Sequence, residues 1–224
     1  MTAGATDRAA AERLVDVSRE TWNRLELYVE LLIRWQRAVN LVAPATLSRT
    51  WTRHVADSLQ LLPLAKGARR WVDLGAGAGF PGLPVAIALA DRPGAEVHLV
   101  ESDQRKAAFL REAARATAAP VTIHARRAED MAGDWPDGVE IVTARALAPL
   151  PRLLELAHPL LKTGARGIFP KGQDVDAELT EAAKSWIIDH EFTPSVTDPR
   201  GRIIMVNGIE RRPKADPRDG PHHG

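Results

Sequence analysis

The sequence of 224 residues contains no cysteine, which excludes disulfide bonds, zinc sites with thiolate ligands and a cysteine nucleophile. It also lacks a strong charge of either sign, because 30 basic and 29 acidic residues give a formal net charge of +1. That balance does not by itself indicate nucleic-acid binding. No apolar run approaches the roughly 20 residues that span a membrane, and no charged and then apolar leader opens the chain. We therefore expect a soluble cytoplasmic protein with no membrane segment and no metal site.

The chain is long enough for one sizeable domain with a smaller appendage. Residues 1–10 are small and polar and are predicted to be a disordered lead-in. Residues 11–66 are predicted to form a helical cap, because apolar residues recur there at steps of three and four. Residues 67–210 alternate short apolar runs with helical patterns, which predicts an α/β fold. Residues 211–224 are polar and rich in proline and glycine and are predicted to be a disordered tail.

The most informative stretch is the segment 71–82, a short apolar run that meets an acid and then breaks into glycines. Its first four residues predict a buried strand that ends at Leu74. Gly75, Gly77 and Gly79 then permit positive φ angles and a close approach of the backbone to a ligand. The residues that follow predict a helix, whose N-terminus offers free N–H donors and the positive end of the helix dipole.

Two classes of ligand compete for this loop. Gly77, Gly79 and Gly82 satisfy the dinucleotide pattern G-x-G-x-x-G, which is weak on its own. Asp73 favours the other class, because a carboxylate beside the loop repels a pyrophosphate but suits a ligand with an ammonium or sulfonium group, such as S-adenosylmethionine. The remaining interpretation is that Asp73 only caps the loop amides and the glycines only form a tight turn.

Polar residues follow the later predicted strands. Glu101 ends the second strand, where a carboxylate accepts hydrogen bonds from the hydroxyls of a nucleoside ribose. Glu129 follows the third strand, where it either is a helix N-terminal acid or faces the ligand crevice at the carboxyl edge of the sheet. Arg145 leaves the fourth strand at the same edge and is interpreted as a site residue ahead of a surface ion-pair partner. In the cap, His54 and Asp57 are three residues apart, so they share a helix face and either hydrogen-bond near the substrate or form an ordinary surface pair.

Taken together, these motifs resemble those of the RsmG (GidB) family. The resemblance extends from Asn40 to Lys171 and is most specific in two runs, Arg53–Leu59 and Asp73–Gly82. It implies a doubly wound, Rossmann-like class I methyltransferase sheet with an N-terminal helical cap. The implied reaction is methylation of a guanine at N7 in 16S ribosomal RNA, by resemblance guanine 527 of the 530 loop, with S-adenosylmethionine as cofactor.

The resemblance also assigns residues. It implies that Gly75 and Phe80 line the cofactor, that Ala128 and Glu129 contact its adenine end, and that Arg145 closes the pocket. Val42 and Phe80 depart mildly from the family pattern. With the residues argued above, the predicted cofactor set is Asp73, Gly75, Gly77, Gly79, Phe80, Glu101, Ala128, Glu129 and Arg145.

The residue content agrees with attack by a ring nitrogen or an oxygen, and the resemblance names the nitrogen. Guanine N7 has a free lone pair, so no general base is needed, whereas methylation of pyrimidine C5 needs the thiolate that this chain lacks. The Asn/Asp-Pro-Pro-aromatic box that recognises exocyclic amino groups is also absent. No catalytic residue is assigned, and Arg145 and His54 are positioning candidates. The candidates for RNA binding are Arg53, His54, Lys106, Arg126, Arg127 and Lys171.

The expected partner is 16S ribosomal RNA or the small ribosomal subunit, bound by a monomer. Two alternatives stay open. A nicotinamide-dependent oxidoreductase is allowed by the glycine pattern and opposed by Asp73. A non-catalytic module for RNA binding or ribosome assembly is the other alternative, because a fold does not establish an activity.

Overall fold

The computed structural model describes residues 3–131 and 134–213 of the chain. The α-helices are α1 (Ala3–Glu12), α2 (Arg19–Gln36), α3 (Asp57–Leu59), α4 (Gly82–Leu89), α5 (Gln104–Thr117), α6 (Leu150–Leu161) and α7 (Val175–Ala182). The strands are β1 (Arg70–Leu74), β2 (Glu96–Val100), β3 (Val121–His124), β4 (Ile141–Thr143), β5 (Arg166–Lys171), β6 (Trp186–Pro194) and β7 (Arg202–Arg211). Short 3₁₀ turns occupy Pro44–Arg49, Pro63–Ala65 and Glu129–Met131, and a π-helical turn, Trp51–Ala56, leads directly into α3.

The seven strands form one sheet in the order β3-β2-β1-β4-β5-β7-β6. The first five strands are parallel, and β7 lies antiparallel between β5 and β6. The order reverses between β1 and β4, which pair directly, with Asp73 opposite Thr143. In such sheets a ligand binds beyond the carboxyl ends of the strands at the point where the strand order reverses. The topology therefore places the crevice beside the glycine loop.

Helices cover both faces of the sheet. Helices α2, α4 and α5 pack together against β1, β2 and β3, and α6 packs with α7 against the opposite face at β4, β5 and β7. Strand β4 is buried along its whole length, as the uninterrupted apolar composition of a central parallel strand predicts. The predicted doubly wound α/β sheet is confirmed. None of the helices in the described ranges is long and apolar enough to cross a membrane.

The N-terminal segment differs from the prediction. Residues 3–12 form helix α1, so the predicted disorder of residues 1–10 is wrong for the part that the structure describes. The alanines there favour a helix. In addition, Asp7 accepts hydrogen bonds from the Trp51 N–H (2.8 Å) and the Thr52 hydroxyl (2.6 Å), which fixes the helix against the π-helical turn.

The predicted tail begins one residue too early. Strand β7 includes Arg211, whose guanidinium lies 4.5 Å from the centre of the Trp186 ring, and β6 pairs Trp186 with Arg211. The boundary moves because this last residue still pairs within the sheet. Residues 214–224, for which disorder is also predicted, lie outside the described residues.

Candidate functional site

A cavity of about 550 Å³ opens at the carboxyl ends of β1, β2 and β4. We call it the first cavity. Its lining combines the glycine loop, the ends of β2 and β4, the loop after β3 and part of the cap. It includes Thr46, Arg53, His54, Gly75, Gly77, Phe80, Glu101, Lys106, Arg126, Arg127, Ala128, Glu129, Arg145 and Leu147.

Glu101 holds the glycine loop in place and also faces the first cavity. One carboxylate oxygen accepts a hydrogen bond from the Gly77 N–H (2.7 Å), and the other accepts from the Asp103 N–H (2.7 Å). From the other side, the Tyr28 hydroxyl of helix α2 donates to the Ala78 carbonyl at 2.5 Å. A carboxylate has about four lone-pair sites, so Glu101 keeps acceptor capacity for a ligand. Its placement agrees with the predicted ribose contact.

Asp73 was predicted to contact the cofactor, but its side chain does not face the first cavity. Its side chain is fully buried and is not part of the lining of the first cavity. Its two oxygens accept hydrogen bonds from the Gly82 N–H (2.9 Å) and the Thr143 hydroxyl (3.1 Å). Burial raises the pKa of Asp73 to about 7. The prediction of a ligand contact is corrected: Asp73 joins the start of α4 to β4, which is the capping role that the sequence left open.

Gly79 is corrected for a similar reason. It does not line the first cavity, and its φ of +100° comes with tight packing. A Cβ there would lie 2.9 Å from the Leu83 Cβ and 3.2 Å from the Tyr28 hydroxyl. Gly77 lines the first cavity with a φ of +57°, and a Cβ there would meet only the Gly75 carbonyl oxygen, at 3.9 Å. Gly79 therefore serves packing, whereas Gly77 exposes backbone to a ligand.

Arg145 connects the end of β4 to the cap. One guanidinium nitrogen, Nη1, donates to the Asp57 carboxylate (3.1 Å) and to the Arg53 carbonyl (3.1 Å). The other, Nη2, donates to His54 Nδ1 (3.0 Å), and the guanidinium lies 5.1 Å from the centre of the Phe80 ring. His54 and Asp57 were predicted to hydrogen-bond to each other; instead, both accept hydrogen bonds from the Arg145 guanidinium. The side chain is thereby fixed at the mouth of the first cavity.

His54 is neutral in this arrangement. Burial and the charges of Arg145 and Arg53 lower the pKa of His54 to about 3. Because arginine only donates, Nδ1 accepts from Arg145, and the proton is on Nε2, which donates to the Thr46 hydroxyl at 2.8 Å. The ring also stacks on Phe80 at 4.9 Å. His54 therefore orients Arg145 and does not carry a charge toward RNA.

The loop after β3 forms the outer wall of the first cavity. Ala128 and Glu129 both line it, as predicted, and Glu129 accepts a hydrogen bond from Arg152 (2.6 Å). Arg126 is paired with Asp134 (2.9 Å), whereas Arg127 is exposed and has no side-chain partner among the described residues. Three of the residues predicted to bind RNA, Arg126, Arg127 and Lys106 of helix α5, therefore line the same cavity.

Lys171 lies elsewhere, in a neighbouring cavity of about 470 Å³ that we call the second cavity. Its Nζ forms an ion pair with Glu178 (2.5 Å) and donates to the Ala148 carbonyl (3.2 Å). Arg53 lines both cavities, together with residues 145–147. Lys171 therefore shares the second cavity with Arg53 and is separated from Lys106, Arg126 and Arg127 by the segment that follows β4.

Several site residues were not predicted. Thr46 supports His54, and Leu147 lies against the glycine loop, where a Cβ on Gly75 would be 2.5 Å from the Leu147 Cδ1. Thr197 donates to Asp57 at 2.5 Å from a loop 140 residues away. Sequence spacing carries no signal for contacts this distant, although the position of Leu147 just after a predicted strand end was a usable clue.

Comparisons with known proteins agree with this geometry. The sequence model of the GidB family, described as rRNA small subunit methyltransferase G, matches residues 21–204. The chain is 56% identical over 207 residues to the ribosomal RNA small subunit methyltransferase G of Bradyrhizobium sp. strain BTAi1, covering 92% of this chain and 93% of that protein. It is 56% identical over 196 residues to the protein of the same name from Methylorubrum populi, covering 88% and 92% of the two chains.

A solved structure shows the same fold at low sequence identity. The O-methyltransferase from Bacillus cereus superposes with a TM-score of 0.58 at 14% identity, covering 91% of this chain and 97% of that chain. The resemblance drawn from the motifs is confirmed, and the oxidoreductase alternative has no support. The strand order, the glycine loop and these matches lead to one assignment: the chain belongs to the GidB family of ribosomal RNA small subunit methyltransferases.

Proposed function

We propose that this protein methylates N7 of a guanine in 16S ribosomal RNA, using S-adenosylmethionine, and that it acts in the cytoplasm as a monomer. Membership of the GidB family supports the reaction and its methyl donor. The single observation that carries the residue assignment is the first cavity, which lies at the reversal point of the sheet and adjoins the second cavity across residues 145–147.

The first cavity fits S-adenosylmethionine in size and in chemistry. About 550 Å³ lies within the range of roughly 300–1,000 Å³ that is usual for small-molecule sites. Gly75 and Gly77 present backbone without side chains, and Glu101 offers acceptor sites for ribose hydroxyls. Ala128 and Glu129 line the side where we place the adenine.

The cofactor, when bound, supplies a methyl group on a cationic sulfur. Guanine N7 attacks with its own lone pair, so no residue of this chain has to remove a proton. The chain's contribution is then positioning, which can supply much of the reduction in the barrier. Arg145 lines both cavities, Phe80 lies against its guanidinium, and neutral His54 holds Arg145 in place. We assign no general base.

The RNA has to present its base outside a helical stack for N7 to reach this site. Arg53, Lys106, Arg126 and Arg127 surround the opening of the first cavity and are the proposed phosphate contacts. A near-neutral chain can bind RNA in this way, because only the local concentration of positive charge matters for contact with phosphates.

The test is transfer of labelled methyl from S-adenosylmethionine to unmodified 16S RNA, both naked and in small-subunit particles, followed by mass spectrometry of the nucleosides. We expect a 7-methylguanosine product that is lost in G75A and R145A. A different methylated nucleoside would overturn the base assignment but leave the cofactor site. Bound cofactor with no transfer to either substrate would favour the non-catalytic module.

A further inference from the structure

The second cavity lies at the carboxyl ends of β4 and β5 and has a volume of about 470 Å³. It shares Arg53, Arg145 and Leu147 with the first cavity, so a group bound in it would be next to the methyl donor. Glu178, from helix α7, lines the second cavity and not the first. The side shared with the first cavity, which we call the arginine side, carries Arg53 and Arg145. Glu178, which is paired with Lys171, lies on the side that the first cavity does not share, and Asp198 and Arg202 also line that side.

Glu178 is held firmly by one of its two oxygens. Its Oε2 accepts a hydrogen bond from the Leu150 N–H (2.6 Å) and forms an ion pair with Lys171 Nζ (2.5 Å). Its Oε1 has no partner within the described ranges, and a quarter of the side chain is exposed. A fixed carboxylate with one free oxygen in a cavity is suited to accept a hydrogen bond from a ligand.

The other acids of the second cavity are less suited to this task. Both oxygens of Asp57 are used, by Arg145 on one side and by Gln60 and Thr197 on the other. Asp198 lies in the loop between β6 and β7 and caps the N–H of Arg200 (3.0 Å), which stabilises the turn. Glu178 is thus the acid that combines fixed placement with a free acceptor.

Guanine has a matching arrangement of groups. Its N7 and O6 lie along one edge, and its N1–H and 2-amino donors lie along the Watson–Crick edge. A base with N7 directed to the first cavity would bring O6 toward the arginine side and its donor groups toward Glu178. The ring also becomes cationic when N7 gains the methyl group, and a nearby carboxylate favours that charge.

We propose that Glu178 is a specificity-determining residue that accepts a hydrogen bond from the 2-amino group, and from N1–H, of the target guanine. This inference rests on the proposed function. It predicts that the enzyme discriminates against inosine, which keeps N7 and N1–H but lacks the 2-amino group. Adenine is disfavoured as well, because its N1 is an acceptor and would face the carboxylate.

The experiment compares kcat/KM for two unmodified 16S RNAs that carry guanine or inosine at the target position. For the wild type we expect a preference for guanine of about tenfold or more, the usual effect of one hydrogen bond to a charged group. In E178Q, which can present an amide N–H₂ to the base, the preference should fall to about one. E181Q is the matched control, because Glu181 is on the same helix, pairs with Lys184 and lines neither cavity.

The outcomes separate this inference from the proposed function. An unchanged guanine preference in E178Q, or no preference in the wild type, would overturn the role of Glu178 while leaving the methylation intact. Absence of 7-methylguanosine with the wild type would overturn both. If E178Q is inactive on both RNAs, E178D decides, because it withdraws the carboxylate by one methylene: a weakened preference supports the inference, and an unchanged one overturns it. Binding of S-adenosylmethionine, measured by calorimetry, should be the same in all variants.

Discussion

The two halves of the carboxyl edge of the sheet are built in different ways. At the ends of β1 and β2, Asp73 and Glu101 accept hydrogen bonds from backbone N–H groups of the neighbouring loops. The two partners are at most 24 residues apart in the sequence. At β4, Arg145 is held by side chains and a carbonyl of the cap, 88 to 92 residues away. The first half is therefore held mainly by short-range backbone contacts, with Tyr28 and Thr143 as distant supports, whereas the second half depends on the cap for all of these contacts.

This difference has consequences for substitution. A change in the first half should act through backbone geometry at one loop, whereas a change at Arg145 should also disturb the cap. The measurements below test that contrast, in order of decreasing expected effect.

We expect R145A to have the largest effect. It leaves the buried Asp57 carboxylate without its main ionic partner, which typically costs about 3–5 kcal/mol in unfolding free energy. Urea denaturation would measure this loss. The double variant R145A/D57N should be less destabilised than the sum of the single variants, because removing both partners removes the unpaired charge. Simple additivity would show that the pair is not energetically coupled.

The second prediction concerns pH and Asp73. Its pKa of about 7 in the folded protein exceeds the ordinary value of 3.8, so between about pH 4 and 7 the folded chain keeps a proton that the unfolded chain has released. Stability due to Asp73 therefore falls as the pH rises through that window and is constant above about 7. Relative to D73N, the wild type should lose about 4 kcal/mol of unfolding free energy across the window.

D73N is the appropriate reference, since it removes the titration and keeps the side-chain shape. Its amide can still accept from the Gly82 N–H, and the Thr143 hydroxyl can rotate to accept from the new N–H₂. A difference in stability between the two proteins that does not change with pH would contradict the raised pKa.

Two glycine substitutions sharpen the contrast inside the loop. G79A should lower the unfolding free energy by about 2–3 kcal/mol, because a left-handed conformation and a crowded Cβ act together. G77A should cost only about 1–2 kcal/mol, since it carries the conformational strain alone. Thermal unfolding with and without S-adenosylmethionine would separate them: G77A should weaken the stabilisation by the ligand more. Equal stability losses would contradict the packing role of Gly79.

The smallest expected effect is on RNA affinity. R127A should weaken binding a few-fold and should reduce the slope of log K against log salt by about 0.7–0.9, as for one phosphate contact. K171A should change the slope less, because Glu178 already neutralises Lys171. Filter binding across a salt series would measure both. Equal slopes for the two variants would show that Lys171 contacts an RNA phosphate as Arg127 does.

The contrast also explains what could be predicted from the sequence. The glycines of the loop and Glu101 were accessible because they belong to local strand-end motifs, and the doubly wound sheet followed from the family resemblance. Asp73 was assigned to the ligand because a strand end does not show which partner its acid meets, and here the register puts Thr143 opposite it. Residues 3–10 were predicted disordered because composition cannot reveal the contact of Asp7 with Trp51, 44 residues away. The role of Arg145 at the site was predicted, but its partners were not. The roles of individual residues stay predictions until tested.

Helix α1 makes the beginning of the chain part of the site. Through Asp7 it satisfies the free N–H of Trp51 at the start of the π-helical turn that carries Arg53 and His54. Anyone who trims this helix to obtain a shorter protein for crystallisation would remove that support. A loss of activity in the trimmed protein would then reflect a loosened active site and not a missing RNA-binding tail.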